Sequence, residues 1–158
     1  MAYMSTEKTW ETYSTSSNET ENLGEAIGRN LNGGEAIELI SDLGGGKTTF
    51  VRGLAKGVGS LSPVASPSFT LKHEYKTQDL TIHHYDFYRL KEPGILQHEL
   101  SEATHDKHIV LVIEWADIVK GVLPSGGLKV KIQTTGETKR TITFSYPEKL
   151  SYLLEGVK

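Results

Sequence analysis

Apolar residues recur along this chain in two rhythms, one of period two and one of period three to four. TWETYS at 9–14 alternates and carries aromatics, which predicts an edge strand. In the next stretch Leu23, Ala26, Ile27 and Leu31 recur at helical spacing, and Gly33-Gly34 stops the helix. Ser16 with Glu19, and Asn18 with Glu21, stand at capping-box spacing before it. EAIELI at 35–40 predicts a short strand that runs straight into SDLGGGKTTF. From Lys47 the helical rhythm returns: Phe50, Leu54 and Val58, flanked by Val51 and Ala55, form one stripe that gives out at Gly57 and Gly59. FTLKHEY and LTIHHYDFY alternate around the turn KTQD and predict a hairpin. Residues 94–104 read as a weak helix. HIVLVIEW is a continuous apolar run ending in a carboxylate, the pattern of a strand covered on both faces. LKVKIQTT and RTITFSY, joined by GETK, predict a second hairpin, and Pro147 opens a terminal helix.

Strand, glycine loop, helix and a later buried strand ending in an acid predict an α/β, P-loop NTPase-like three-layer fold. Its central strands are expected parallel and its flanking strands antiparallel. There are 158 residues, no repeats and no linker rich enough to divide them, so one domain over 1–158 is expected. Cysteine is absent, which excludes disulfides and thiolate metal sites and fits a reducing cytoplasm. MAYMSTEKTWETYS has no apolar core of a secretory signal, and IVLVI is too short to cross a bilayer. A cytoplasmic protein without membrane contact is the expectation. The formal charge of −3 and a pI near 6.1 supply no basic field for nucleic acid. DNA binding is not expected, and any RNA contact must be local or made through a partner.

The loop carries the chemistry. A phosphate cradle needs consecutive backbone N–H groups pointing inward, small residues that let the backbone approach, and a helix N-terminus behind them. It also needs a lysine for the β/γ-phosphates and a hydroxyl for Mg²⁺. Gly44, Gly45 and Gly46 allow the approach, Lys47 is the cation and Thr48 the hydroxyl; Asp42, Leu43 and Thr49 complete the candidate nucleotide-binding loop. A Gly-x-Gly-Lys-[Ser/Thr] string arises by chance in a chain this long on the order of 0.5% of the time. Ser41 occupies the position where such loops open with glycine, which a small side chain tolerates if no positive φ is required.

Two carboxylates end predicted strands, where ligands of open α/β sheets sit: Glu114 after IVLVI and Asp86 in HHYDFYRL. Both are candidate catalytic residues, with Glu114 and Thr48 the candidate metal-site residues, because such groups hold metal-bound water or orient an attacking water. An ordinary surface ion pair is the competing reading for each. His83 and His84 are adjacent, so on a strand they face opposite sides, which is poor metal geometry. Trp115 is either core or a platform for a nucleotide base. SPSFT at 66–70, stiffened by Pro67, is a candidate switch over the terminal phosphate.

In order along the chain, SDLGGGKTTFVRGL, VASPSFTL, HYDFYRL and VIEW resemble the TsaE (YjeE) family. The likeness runs from ETENLGEAIGRNL to VLP near residue 124; beyond it only strand character matches. The family's loop usually reads G-D-L-G-A-G-K-T, so Ser41 and Gly45 depart, and its S-P-T-F stands here as Ser66-Pro67-Ser68-Phe69. Its H-x-D-x-Y-R-L is intact as His84, Asp86, Tyr88, Arg89 and Leu90. The resemblance implies an ATPase subunit of the bacterial machinery that makes threonylcarbamoyladenosine in tRNA. ATP and Mg²⁺ would be served by Lys47 and Thr48 with Glu114 and Asp86 beside them. TsaB-like and TsaD-like proteins would be the partners, tRNA would be reached through them, and this chain would not itself transfer the threonylcarbamoyl group. Arg89 would be either an arginine finger or an anchor for the strand end or a partner. On the residues alone two other readings stay open. One is a small-molecule or nucleoside kinase, which usually needs an arginine-bearing lid. The other is a binding module that uses ATP without hydrolysing it.

Overall fold

The first helix begins where its own side chains can satisfy it. In the computed structural model, which describes residues 6–41, 46–64, 72–87, 94, 96–115 and 126–158, α1 spans Ser17–Arg29. The Ser16 hydroxyl accepts from the Glu19 amide at 3.1 Å, and the Glu19 carboxylate accepts from the Thr15 amide at 2.7 Å. The expected box at Ser16 therefore forms, with Glu19 reaching one residue further back. Asn18 and Glu21 lie inside the helix and do not cap it.

α2 spans Lys47–Val58 and packs on α1 through glycines from both helices. A methyl group added at Gly24 would stand 2.3 Å from the Phe50 carbonyl oxygen, and one at Gly57 would stand 2.3 Å from that of Glu25. Gly28 and Gly53 complete the crossing in the same way. Gly57, read from sequence as the end of the helix, is thus an internal contact residue. The end comes at Gly59, whose φ of 87° only glycine adopts easily.

Seven strands form one sheet in the order β1-β7-β6-β2-β5-β4-β3. They are β1 Glu7–Ser14, β2 Ala36–Ser41, β3 Lys72–Lys76, β4 Thr81–Asp86, β5 Ile109–Glu114, β6 Leu128–Thr134 and β7 Arg140–Pro147. β6, β2, β5 and β4 run parallel at the centre, while β7, β1 and β3 pair antiparallel at the flanks. Both expected hairpins are present, and β1 is the expected edge. Residues 69–71 of the first hairpin lie outside the described residues.

The alternation along β5 shows why its run is unbroken. Val110 and Val112 pack with Phe50, Val51 and Leu54 of α2 and Ile27 of α1. Leu111 and Ile113 pack on the other side with Leu100 and Ala103 of α3, which spans Leu96–Ala103. Helices cover both faces, so β5 has no wet side to mark with polar residues. The chain ends in a 3₁₀ helix, Glu148–Leu154, where the sequence predicted a helix opened by Pro147. Leu150 and Leu153, three residues apart, lie above one another in this tighter coil and are both buried. The Asn30 amide ties α1 to this segment by donating to the carbonyls of Leu153 and Glu155, each at 2.9 Å. No helix among the described residues is long and apolar enough to cross a membrane.

Candidate functional site

Three parallel strands deliver their last residues to one place. Ser41 ends β2, Glu114 ends β5 and Asp86 ends β4. Asp86 and Glu114 stand opposite each other in the β4–β5 register, and Leu39 stands opposite Glu114 on the other side. Strand side chains alternate, so Ile82, His84 and Asp86 share the face of the sheet that carries Val110, Val112 and Glu114. α2 starts over that face.

The start of α2 is built to receive negative charge. Gly46 holds its N-cap position at φ 102°, with no side-chain hydrogen bond capping the helix and no acid in the first turn. The positive end of the helix dipole and the first amides therefore have no anion supplied by the first turn. Lys47 follows at once and is buried at 7% exposure. Its ammonium lies 3.4 Å from Glu114 Oε1 and 5.1 Å from the centre of the Trp115 ring. Thr48 and Thr49 are partly exposed on the first turn. From the far hairpin, Arg140 brings its Nε to 4.0 Å from where a Cβ on Gly46 would sit, and its Nη1 donates to the Lys139 carbonyl at 2.9 Å.

Glu114 is held from two sides. Its Oε2 accepts from His84 Nε2 at 2.5 Å while Oε1 faces Lys47. His84 is fully buried, and its Nδ1 lies 3.3 Å from the Tyr75 hydroxyl. The expected placement of His83 and His84 on opposite faces is realised. His83 turns toward α3, where its Nε2 meets Glu74 at 3.1 Å, and Lys72 bridges to Glu99 at 2.8 Å. Burial, reinforced by the nearby Lys72 charge, holds His83 below the usual histidine range. The hydrogen bond from Lys72 holds Glu99 below the usual carboxylate range, and burial pushes the Tyr85 phenol up.

Trp115 is half exposed rather than core, and it is the one non-glycine among the described residues with positive φ, at 59°. A bulky residue held in that region signals a backbone constrained by its surroundings, as happens at binding sites. Of the sequence-predicted residues, Gly46, Lys47, Thr48, Thr49, Asp86, Glu114 and Trp115 are described, and all belong to strand ends or the first turn of α2. Asp42, Leu43, Gly44, Gly45, the 66–70 segment, Tyr88 and Arg89 lie outside the described residues. Sequence reasoning placed His84 in a motif but gave it no part in the site, and missed Tyr75 and Arg140. For His84 the signal was present: it precedes Asp86 by two residues and must share its face.

A family model for "Threonylcarbamoyl adenosine biosynthesis protein TsaE" matches residues 14–142. The chain belongs to the TsaE family. The match extends past residue 124, where the motifs end, into the β6–β7 hairpin. A Bacillus subtilis (strain 168) relative, named tRNA threonylcarbamoyladenosine biosynthesis protein TsaE, is 38% identical over 112 residues, covering 71% of this chain and 70% of the relative. A Rickettsia felis relative of the same name is 36% identical over 123 residues, 77% of this chain and 71% of the relative. The crystal structure of YdiB from Bacillus subtilis superposes with a TM-score of 0.77 at 30% identity, covering 99% of this chain and 97% of that one. The fold seen here is thus one that a solved structure shares over nearly its full length.

Proposed function

We propose that this chain is the ATP-binding and ATP-hydrolysing subunit of tRNA threonylcarbamoyladenosine formation. It works with TsaB-like and TsaD-like proteins, and the threonylcarbamoyl transfer itself belongs to those partners. The single observation that carries the ATPase part is the meeting of Lys47 and Glu114 at the uncapped start of α2. A cation, a row of helix amides and two strand-end carboxylates make a donor set that fits a phosphate chain and a hard metal ion. Lys47 would reach the β/γ-phosphates, and Thr48 and Glu114 would serve Mg²⁺. Bound Mg²⁺ would supply charge neutralisation on the phosphate oxygens. Asp86, beside Glu114, would help orient the attacking water, and Trp115 offers a ring face for the base. The family membership supports the link to tRNA modification. In that setting a nucleotide-driven subunit acts on the assembly, and tRNA is met through the partners.

Calorimetry and phosphate release on the same set of variants test this reading. Lys47→Ala should lose useful Mg-ATP binding, because a charge-assisted contact to the phosphates goes. Glu114→Ala and Asp86→Ala should cut hydrolysis on the order of 10²-fold while affinity changes far less, since their groups act mainly in the transition state. A Lys47→Ala protein that binds Mg-ATP like the wild type would refute the site. Transfer of the phosphoryl group to an added acceptor would make the chain a kinase.

A further inference from the structure

We infer that His84, held from behind by Tyr75, is the positioning residue for Glu114. The inference rests on the reading of Glu114 as part of an ATP site, and names what makes that glutamate work. A glutamate at a strand end has one more methylene than the aspartate more common there, so it gains reach and loses definition. In this chain the definition is restored by a buried relay. Glu114 Oε2 accepts from His84 Nε2 at 2.5 Å, which leaves Oε1 turned to Lys47 at 3.4 Å. His84 has no exposed surface, and its other nitrogen lies 3.3 Å from the hydroxyl of Tyr75, itself 1% exposed.

Contacts at both ring nitrogens, to the Tyr75 hydroxyl on one side and the Glu114 carboxylate on the other, hold the imidazole plane in place. The ring is closed off from solvent, and the Tyr75 and His84 rings lie 6.0 Å apart and tilted by 45°. One carboxylate oxygen is thus immobilised so that the other keeps a set direction toward the start of α2. Partners of this kind, which orient a metal-site carboxylate without touching the ligand, are worth about 10- to 100-fold in activity.

Four variants of the full chain test this: His84→Ala, His84→Gln, Tyr75→Phe and the double variant His84→Ala/Glu114→Ala. Single-turnover phosphate release should fall about 10- to 100-fold in His84→Ala. Mg-ATP affinity should stay within about threefold of wild type. Glutamine places an N–H near the position of Nε2, so His84→Gln should recover most of the rate. Tyr75→Phe, which removes only the hydroxyl behind the ring, should lose rate in the same direction by less. In the double variant the histidine change should add almost nothing to the loss from Glu114→Ala, because residues acting through one group are not additive. Multiplicative losses, equal losses of affinity and rate, or a glutamine variant no better than alanine would overturn the inference. Crystal structures of His84→Gln and Tyr75→Phe read it without any activity. Glu114 should keep its place against Lys47 in the former and shift in the latter, and an unmoved carboxylate in Tyr75→Phe or a displaced one in His84→Gln would also overturn it. A wild-type chain that releases no phosphate would refute the ATPase reading alone, and those structures would still decide the role of His84.

Discussion

Lys47 stands where two attractions meet, the carboxylate of Glu114 and the face of Trp115. A buried ammonium needs such partners, because desolvating a charge costs several kcal/mol when nothing replaces water. The same residues that stabilise it would be its company when phosphate arrives. Ser41, by contrast, departs from the usual glycine without strain. It ends β2 opposite Ile132, and its φ is not positive, since Trp115 is the one non-glycine of that kind among the described residues. Ser41→Gly should therefore leave Mg-ATP affinity within about twofold and lower stability by a few tenths to about 1 kcal/mol through chain entropy. Titration calorimetry and a urea melt check both. A tenfold gain in affinity would show instead that the serine strains the loop.

At the scale of elements, the α1–α2 pair shows where sequence reading stops. Glycine inside a helix costs about 1 kcal/mol relative to alanine, so Gly57 reads as a stop. Only the closeness of α1 explains it: the added methyl would meet the Glu25 carbonyl at 2.3 Å and the Gly28 Cα at 2.7 Å. Propensity and packing then predict opposite signs for one substitution. Gly57→Ala should destabilise by about 1–3 kcal/mol, as overpacking does, rather than stabilise. The denaturant midpoint would fall, and a rise would mean that the helices are free to separate. The strands were more legible because their alternation is local, and β5 announced its two covered faces in an unbroken apolar run. The shared face of His84 and Asp86 was legible from their two-residue spacing, but the contact of His84 with Glu114 depends on the β4–β5 register, which a single strand does not reveal. Arg140 reaches Gly46 from the opposite end of the chain, a closeness that sheet order alone creates.

Across the whole molecule, one end of the sheet gathers the candidate chemistry, while the α3 face carries a separate cluster of titratable groups shifted by the fold. His83 titrates below its usual 6.5 in the fold, chiefly through burial and then through Lys72. The unfolded chain takes up that proton first, so this contribution is whole above pH 6.5 and declines as the pH falls below it. Glu99 lies below its usual 4.5, chiefly through its hydrogen bond from Lys72, so its contribution is present above pH 4.5 and lost beneath it. The melting temperature should therefore fall on acidification in two stages, and His83→Gln should flatten the upper one. Parallel curves for wild type and variant would place the acid sensitivity elsewhere.

The central claim, a partner-dependent ATPase, has its most direct test in steady-state phosphate release from Mg-ATP by this chain, alone and with a TsaB–TsaD-like pair and tRNA. Arginine fingers commonly add about 10³- to 10⁵-fold in rate, and among the described residues Arg140 is the arginine beside the start of α2. The isolated chain should turn over well below about one per second. The partners should raise that rate or make it depend on tRNA, and Lys47→Ala should abolish it in both settings. Fast turnover that ignores the partners, or equal turnover with Lys47 removed, would contradict the account.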